Sequence, residues 1–222
     1  MKLLHYLLAA GAVSLCACTA TPSPTAPSAA VKADVLASVA GYDPAFYRAF
    51  LQNGFESPDR LEPIRILSSG FRVYLRTEDD AGAAIDTATL DTVERALVES
   101  APIWSGGSFG VTEVVRGTAS MQKTPGWLTV KWSRANFGGS CGRSTVGVDG
   151  GYIEFNSSGA CSCGTPTLVY PRLVRHELGH AMGYYHTGDS QDVMYGQSIP
   201  ADSCDVQPSG RERRHAAIAH RR

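Results

Sequence analysis

Apolar residues recur with strand or helix periodicity along most of the chain beyond residue 40. Over residues 64–77 apolar and polar residues alternate, which predicts a β-strand with one buried face. Leu90, Val93 and Leu97 recur at helical spacing and predict an amphipathic helix over residues 86–101. Similar short runs predict three further strands, over residues 109–115, 127–132 and 151–156.

Three more helices are predicted from residues that favour helix ends. Asp43 and Pro44 would cap and open a short helix that ends at Gly54. Pro171 would open a second helix, and a last helix is expected near Ser209. The order of these elements predicts an α+β fold, and the chain is long enough for one buried core.

The N-terminal residues predict export. Lys2 precedes an apolar run over residues 3–13, which is too short to span a membrane and is typical of a signal peptide over residues 1–17. Residues 18–40 are expected to form a flexible tether, because their first part is rich in Thr, Pro, Ser and Ala. No other segment is apolar enough to cross a bilayer.

Leu15-Cys16-Ala17-Cys18 resembles a bacterial lipobox, which makes Cys18 the candidate for lipidation. The alternative is an ordinary signal peptide cut near Ala17 or Ala20. The first interpretation predicts a membrane partner through a lipid anchor and a location in the bacterial cell envelope, at the outer membrane or the cell surface. The second predicts a periplasmic or secreted protein.

The net charge of the chain gives no reason to expect a nucleic-acid partner. Lys and Arg number 20 and Asp and Glu number 21, so the formal net charge is −1 and nothing favours binding to nucleic acid. Residues 205–222 contain five arginines and two acidic residues, a composition expected of the solvated side of a helix. His215 and His220 are five residues apart and are expected at the surface.

The cysteines agree with export. When Cys16 and Cys18 are set aside, four cysteines remain, and an even number in an exported domain predicts two disulfides. A bridge between adjacent cysteines of the Cys-x-Cys sequence would close a very tight loop and is disfavoured. The two other pairings stay open, and a reduced Cys-x-Cys metal or redox site is disfavoured outside the cytoplasm. The four candidates are Cys141, Cys161, Cys163 and Cys204.

The segment from His176 to His186 has the pattern HExxHxxGxxH and holds three of the six histidines of the chain. His176 and His180 are four residues apart, so on a helix they project from one face, about 6 Å apart along the axis. Gly183 permits a tight turn that brings His186 back from another direction. Three imidazoles leave the fourth position of a zinc ion open to water, and Glu177 lies on the side of that water.

A methionine follows this motif, in Asp192-Val193-Met194-Tyr195. The pattern over residues 171–195 resembles the metzincin zinc metalloproteases, with Met194 as the Met-turn, and Met followed directly by Tyr resembles the matrixin branch. Gly196 stands where other branches carry a zinc-approaching tyrosine, so no tyrosine ligand is assigned. The resemblance implies a twisted, mostly parallel sheet with an antiparallel edge strand, an active-site helix, a Met-turn and a C-terminal helix.

The resemblance also implies an activity. One Zn²⁺ bound by His176, His180 and His186 would serve a monomeric endopeptidase with a protein or peptide substrate, and Glu177 would be the general base. The alternatives are a non-catalytic zinc-containing binding or adhesion module and a zinc amidase that acts on a cell-wall amide. Residues 63–222 would be the catalytic domain. Residues 41–62 would be a short helical segment that packs on this domain or forms a small pro-region.

Substrate-binding residues are also expected from the resemblance. The strand over residues 151–156 would be the edge strand to which an extended substrate adds. Arg172 and Leu173 would line the pocket beside the zinc, with residues 197–203 as its outer wall. Asp149 and Glu154 are candidate ligands for a Ca²⁺ ion. The strand residues expected to contact substrate are Tyr152, Ile153 and Glu154.

Overall fold

In a computed structural model the chain is described at residue 36 and over residues 38–135, 137–197 and 203–221. The predicted signal peptide, Cys18 and almost all of the predicted tether lie outside these residues, as do residues 198–202 of the expected outer pocket wall. Among the residues described, every helix is too short or too polar to cross a membrane.

Four helices and five strands are assigned within the described residues. The helices are α1 (Pro44–Gln52), α2 (Thr87–Trp104), α3 (Pro171–Met182) and α4 (Gly210–His220). The strands are β1 (Phe71–Asp79), β2 (Val111–Gly117), β3 (Trp127–Ser133), β4 (Gly142–Ser144) and β5 (Tyr152–Asn156).

The strands form one sheet in the order β2-β1-β3-β5-β4. β1 runs parallel to β2 and β3, and β3 runs parallel to β5. β4 pairs antiparallel with β5, with Arg143 opposite Glu154. The predicted α+β class and the mostly parallel sheet with an antiparallel edge strand are therefore confirmed.

The prediction that residues 151–156 form the edge strand is wrong. These residues contain β5, which lies between β3 and β4, and the edge is the three-residue strand β4. The periodicity missed β4 because a strand of three residues, Gly142-Arg143-Ser144, is too short to show alternation. Ile153 and Phe155 are fully buried, as expected for an interior strand.

The core lies where α2 and α3 pack against each other and against the sheet. α2 begins at the capping residue Asp86, whose carboxylate accepts the N–H of Thr89 at 2.8 Å. It ends at the fully buried Trp104, whose indole N–H donates to the carbonyl oxygen of Arg175 at 3.0 Å. This bond joins the end of α2 to the helix that carries the histidine motif. The apolar positions predicted for α2 are buried: Leu90, Val93 and Leu97.

Helix α1 begins as predicted, with Asp43 accepting the N–H groups of Ala45 and Phe46 at 2.9 and 3.1 Å. It ends with Asn53 in the left-handed region, at φ 57°, one residue before the expected stop at Gly54. Its apolar side packs against the rest of the chain. The side chains that join the common core are Phe46, Phe50 and Leu51.

The expectation that His215 lies at the surface is wrong, because α1 covers it. Its side chain is 1% exposed, its Nδ1 donates to the carbonyl oxygen of Arg211 at 2.8 Å, and its Nε2 accepts the N–H of Asp43 at 3.0 Å. His220 is half-buried, with its ring 5.4 Å from that of Phe109. The basic pattern of α4 predicts a solvated face and gives no sign of the face that α1 covers.

The disulfides are Cys141–Cys161 and Cys163–Cys204, one of the two pairings left open. The first joins the residue before β4 to the loop that precedes α3. The second spans 41 residues and ties the same loop to the segment before α4. Both therefore restrain the chain around α3.

Candidate metal centre

Helix α3 carries two of the predicted ligands and ends where the motif predicts. Gly183 caps it with φ 112°, a conformation that favours glycine. A Cβ atom at this position would also collide with the carbonyl oxygen of Arg65. The prediction that a glycine-dependent turn follows α3 is therefore supported by both backbone angle and available space.

The three histidines of the motif meet at one point. His180 Nε2 lies 3.1 Å from His186 Nε2, which lies 3.3 Å from His176 Nε2. Among the described residues they form the one group of three or more His, Cys, Asp or Glu side chains that could hold a metal ion. Asp149 and Glu154, the candidate calcium ligands, belong to no such group.

Each ring is held through its other nitrogen. His176 Nδ1 lies 2.7 Å from the carbonyl oxygen of Val193, and His180 Nδ1 lies 2.8 Å from that of Tyr184. His186 Nδ1 lies 2.6 Å from the carboxylate oxygen Oε1 of Glu56. Because these oxygens accept, each Nδ1 carries the proton and each Nε2 presents a lone pair to the centre.

A cation fits this arrangement. Three converging lone pairs repel one another unless a positive charge lies between them, and burial lowers the pKa of His176 to about 4, with a smaller contribution from His186. Burial also lowers the pKa of His180, so both rings are neutral near pH 7. Tetrahedral zinc with Zn–N bonds of about 2.0–2.1 Å needs nitrogens about 3.3 Å apart, close to the separations found.

Glu177 lies beside the histidines at the base of a cleft. It is 3% exposed, and its Oε2 is buried without a hydrogen-bond partner among the described residues. A Cβ atom on Gly142 of β4 would lie 2.6 Å from Glu177 Oε1, so a glycine here leaves room for the carboxylate. Burial raises the pKa of Glu177 to about 8, and a cation held by the histidines would favour the ionised form.

Met194 is fully buried, and its sulfur packs against Gly179, the residue before His180. Its carbonyl oxygen accepts the N–H of Thr187 at 2.9 Å. This bond ties residues 192–195, which we call the methionine segment, to the residue after His186. The methionine and the three histidines therefore belong to one packed unit.

Glu212 on α4 also supports the site, although no motif in the sequence indicates this role. Its buried carboxylate accepts the N–H groups of Val193 at 3.0 Å, Met194 at 2.8 Å and Ser209 at 2.6 Å. Val193 in turn holds His176 through its carbonyl oxygen. The Ser-x-x-Glu spacing of Ser209 and Glu212 predicts a capping box, which is present, but it does not predict the contact with residues 193–194.

We expect Glu212→Ala to lower the free energy of unfolding by about 3 kcal/mol or more. The substitution leaves three N–H donors without an acceptor, two of them in the methionine segment, at a cost of about 1–3 kcal/mol for each buried donor. Urea denaturation would measure the change. Glu113→Ala, at an exposed carboxylate on β2, should change stability by less than about 0.5 kcal/mol. Equal effects of the two substitutions would contradict the anchoring role.

The cleft has a volume of about 630 Å³ and lies between α3 and residues 138–144, which include β4. Arg172 and Leu173 line it, as predicted, together with Val193 and residues 195–197. The guanidinium Nη2 of Arg172 donates to the carbonyl oxygens of Ser190 and Asp192 at 2.8 and 2.6 Å. Arg172 therefore forms part of the wall rather than extending freely into solvent.

The structure gives no support to the predicted substrate contacts on β5. Tyr152, Ile153 and Glu154 are not among the described residues that line the cleft. Ile153 is fully buried, and the Glu154 carboxylate pairs with Arg143 at 2.6 Å and Lys131 at 3.5 Å. β4 takes the position expected of these residues because it lies outside β5 in the sheet.

Comparison with known proteins gives a distant likeness. No family model matches the chain. Among solved structures the chain is similar to the crystal structure of metalloproteinase-II from Bacteroides fragilis, with 14% sequence identity and a TM-score of 0.47. The alignment covers 70% of this chain and 54% of that one, so the chain spans about half the length of that structure.

Proposed function

We propose that this chain is a zinc-dependent endopeptidase of the metzincin type, similar to the matrixin branch. The observation that carries the proposal is the convergence of three imidazole nitrogens beside the buried Glu177 carboxylate, at the base of an open cleft. A purely zinc-binding module has no need of a carboxylate in this position, because burying it without a partner is costly.

His176, His180 and His186 would hold the Zn²⁺ ion, which supplies Lewis acidity toward the substrate carbonyl and toward a water molecule. Glu177 then acts as the proton carrier. Its unpartnered Oε2 accepts a proton from the attacking water and later delivers it to the amine that leaves. Met194, packed against α3, supports the ligands as the Met-turn.

The substrate is proposed to be a protein or peptide in extended conformation. Within the described residues β4 is paired with β5 on one side, and its outer side lines the cleft, so main-chain groups of a peptide can add to the sheet there. Arg172 and Leu173 would contact a side chain next to the cleaved bond. Both residues would then contribute to the substrate specificity of the cleft.

Export and lipid anchoring at Cys18 remain predictions from the sequence. The two disulfides support export, since such bridges persist in oxidising compartments. We propose that the protein is a monomer. It would be either anchored to the cell envelope by its lipid or released from the envelope.

Peptide cleavage by the purified mature chain would test the proposal. We expect internal bonds of a quenched fluorescent peptide library to be cut, with new amino termini identified by mass spectrometry. A chelator should abolish the cleavage, and stoichiometric zinc should restore it. Zinc binding without cleavage of any peptide would instead favour a binding module, and cleavage of cell-wall fragments alone would favour the amidase.

A further inference from the structure

His186 differs from the other two ligands because it lies outside α3. It follows the turn at Gly183, so its position depends on contacts made by residues 184–188. A ligand on irregular backbone needs external support if its ring is to stay in place for a metal ion. Much of that support comes from α1 and the loop that follows it.

The backbone on both sides of His186 is held by this N-terminal segment, residues 44–56. The N–H of Tyr185 donates to the carbonyl oxygen of Phe50 at 2.8 Å. The ring of Phe50 stacks on that of Tyr184 at 4.3 Å and an interplanar angle of 8°. On the other side Phe55 packs against Gly188, where a Cβ atom would lie 2.6 Å from the ring.

The side chain of His186 is held by the same segment. Its Nδ1 donates to Glu56 Oε1 at 2.6 Å across 130 residues of sequence, whereas His176 and His180 are held by backbone carbonyls. Glu56 is not among the described residues that line the cleft. It therefore contacts His186 on the side away from the cleft, and the cleft side of the metal position stays open to substrate.

We propose that residues 44–56 are an integral part of the metal centre and that Glu56 is a positioning residue for His186. The carboxylate fixes the Nδ1–H tautomer, so the Nε2 lone pair faces the metal position. This inference rests on the proposed zinc site. It also means that removing the segment would impair the enzyme rather than activate it, in contrast to a pro-region.

The test uses the full mature chain with Glu56→Ala, Glu56→Gln and the control Asp59→Ala. Asp59 is an exposed carboxylate three residues along the same loop. Competition with a chromophoric chelator gives the zinc dissociation constant, and the absorption spectrum of the cobalt-loaded form reports ligand geometry. We expect Glu56→Ala to weaken zinc binding about 10–100-fold and to change the cobalt spectrum. Glu56→Gln keeps an acceptor oxygen and should recover part of the affinity.

The control variant shows whether an effect of Glu56→Ala comes from the position of His186 or only from the loss of a negative charge. Urea unfolding shows whether it comes from a change in stability. Asp59→Ala should bind zinc as the unchanged chain does, and the metal-free forms of all variants should unfold at the same urea concentration. Equal zinc affinity and cobalt spectra for Glu56→Ala and Asp59→Ala would overturn the role of Glu56 and leave the zinc site intact. Failure of the unchanged chain to bind zinc would overturn the proposed function itself and this inference with it.

Discussion

Replacement of Glu177 by Gln is expected to lower kcat/KM for peptide hydrolysis by about 10²–10⁴-fold while one zinc ion per chain is retained. The amide has nearly the same shape as the carboxylate, so it fits the space left by Gly142, but it cannot accept the water's proton. A fluorogenic peptide assay measures the loss, and elemental analysis of the same sample measures the zinc.

The stability of this variant is a second readout. Glu177 is 3% exposed and its Oε2 has no partner within the described residues, so ionising it in the metal-free protein is unfavourable. A neutral amide avoids that cost, and metal-free Glu177→Gln should therefore be at least as stable as the unchanged chain. A zinc-loaded variant with full activity would contradict the assignment of Glu177 as the base, although the zinc site would stand.

The sequence predicts the parts of the site that depend on local geometry. His176 and His180 share a helix face because they are four residues apart, and Gly183 ends that helix because its backbone angle is positive. These relations hold within one element and its cap, so spacing alone reveals them. The turn at Gly183 brings His186 back toward the same point, as the motif predicts, and Glu56 holds its ring there.

Sequence spacing does not reveal the residues that support the histidines, because these residues come close to the site only when the chain is folded. Glu56 lies 130 residues from His186, and Glu212 lies 19 residues from Val193 on another helix. No periodicity links such positions, and both are ordinary acidic residues in sequence. The pattern of α4 likewise could not show that α1 would cover His215, because that depends on how the two helices pack.

The sheet is also only partly predictable from the sequence. Alternation predicts β1 and β5, but it cannot say which strand lies at the edge, and β4 is too short to show a period. The error matters for function because the predicted edge strand, residues 151–156, carried the expected substrate contacts Tyr152, Ile153 and Glu154. This strand lies one position inside the edge of the sheet. The sequence predicts the convergence of the three histidines more accurately than the walls of the cleft beside them.

Replacement of His180 by Ala is expected to weaken zinc binding about 10²–10³-fold and to abolish peptide hydrolysis. Its Nε2 lies 3.1 Å from that of His186, and its Nδ1 is held by Tyr184, so the ring is fixed in the centre of the site. Structural zinc with four ligands binds with about 10–16 kcal/mol, or about 3–4 kcal/mol for each ligand, which corresponds to a loss of about 10²–10³-fold in affinity.

Thermal unfolding with and without zinc measures this loss independently of activity. Zinc at 100 times its dissociation constant stabilises the folded state by about 2.7 kcal/mol, which should raise the Tm of the unchanged chain by roughly 5–10 °C. Glu177→Gln should keep this increase and His180→Ala should lose it, so the pair separates metal binding from proton transfer. If His180→Ala kept the full increase, zinc would have to bind elsewhere on the chain, and the three histidines would not be its ligands.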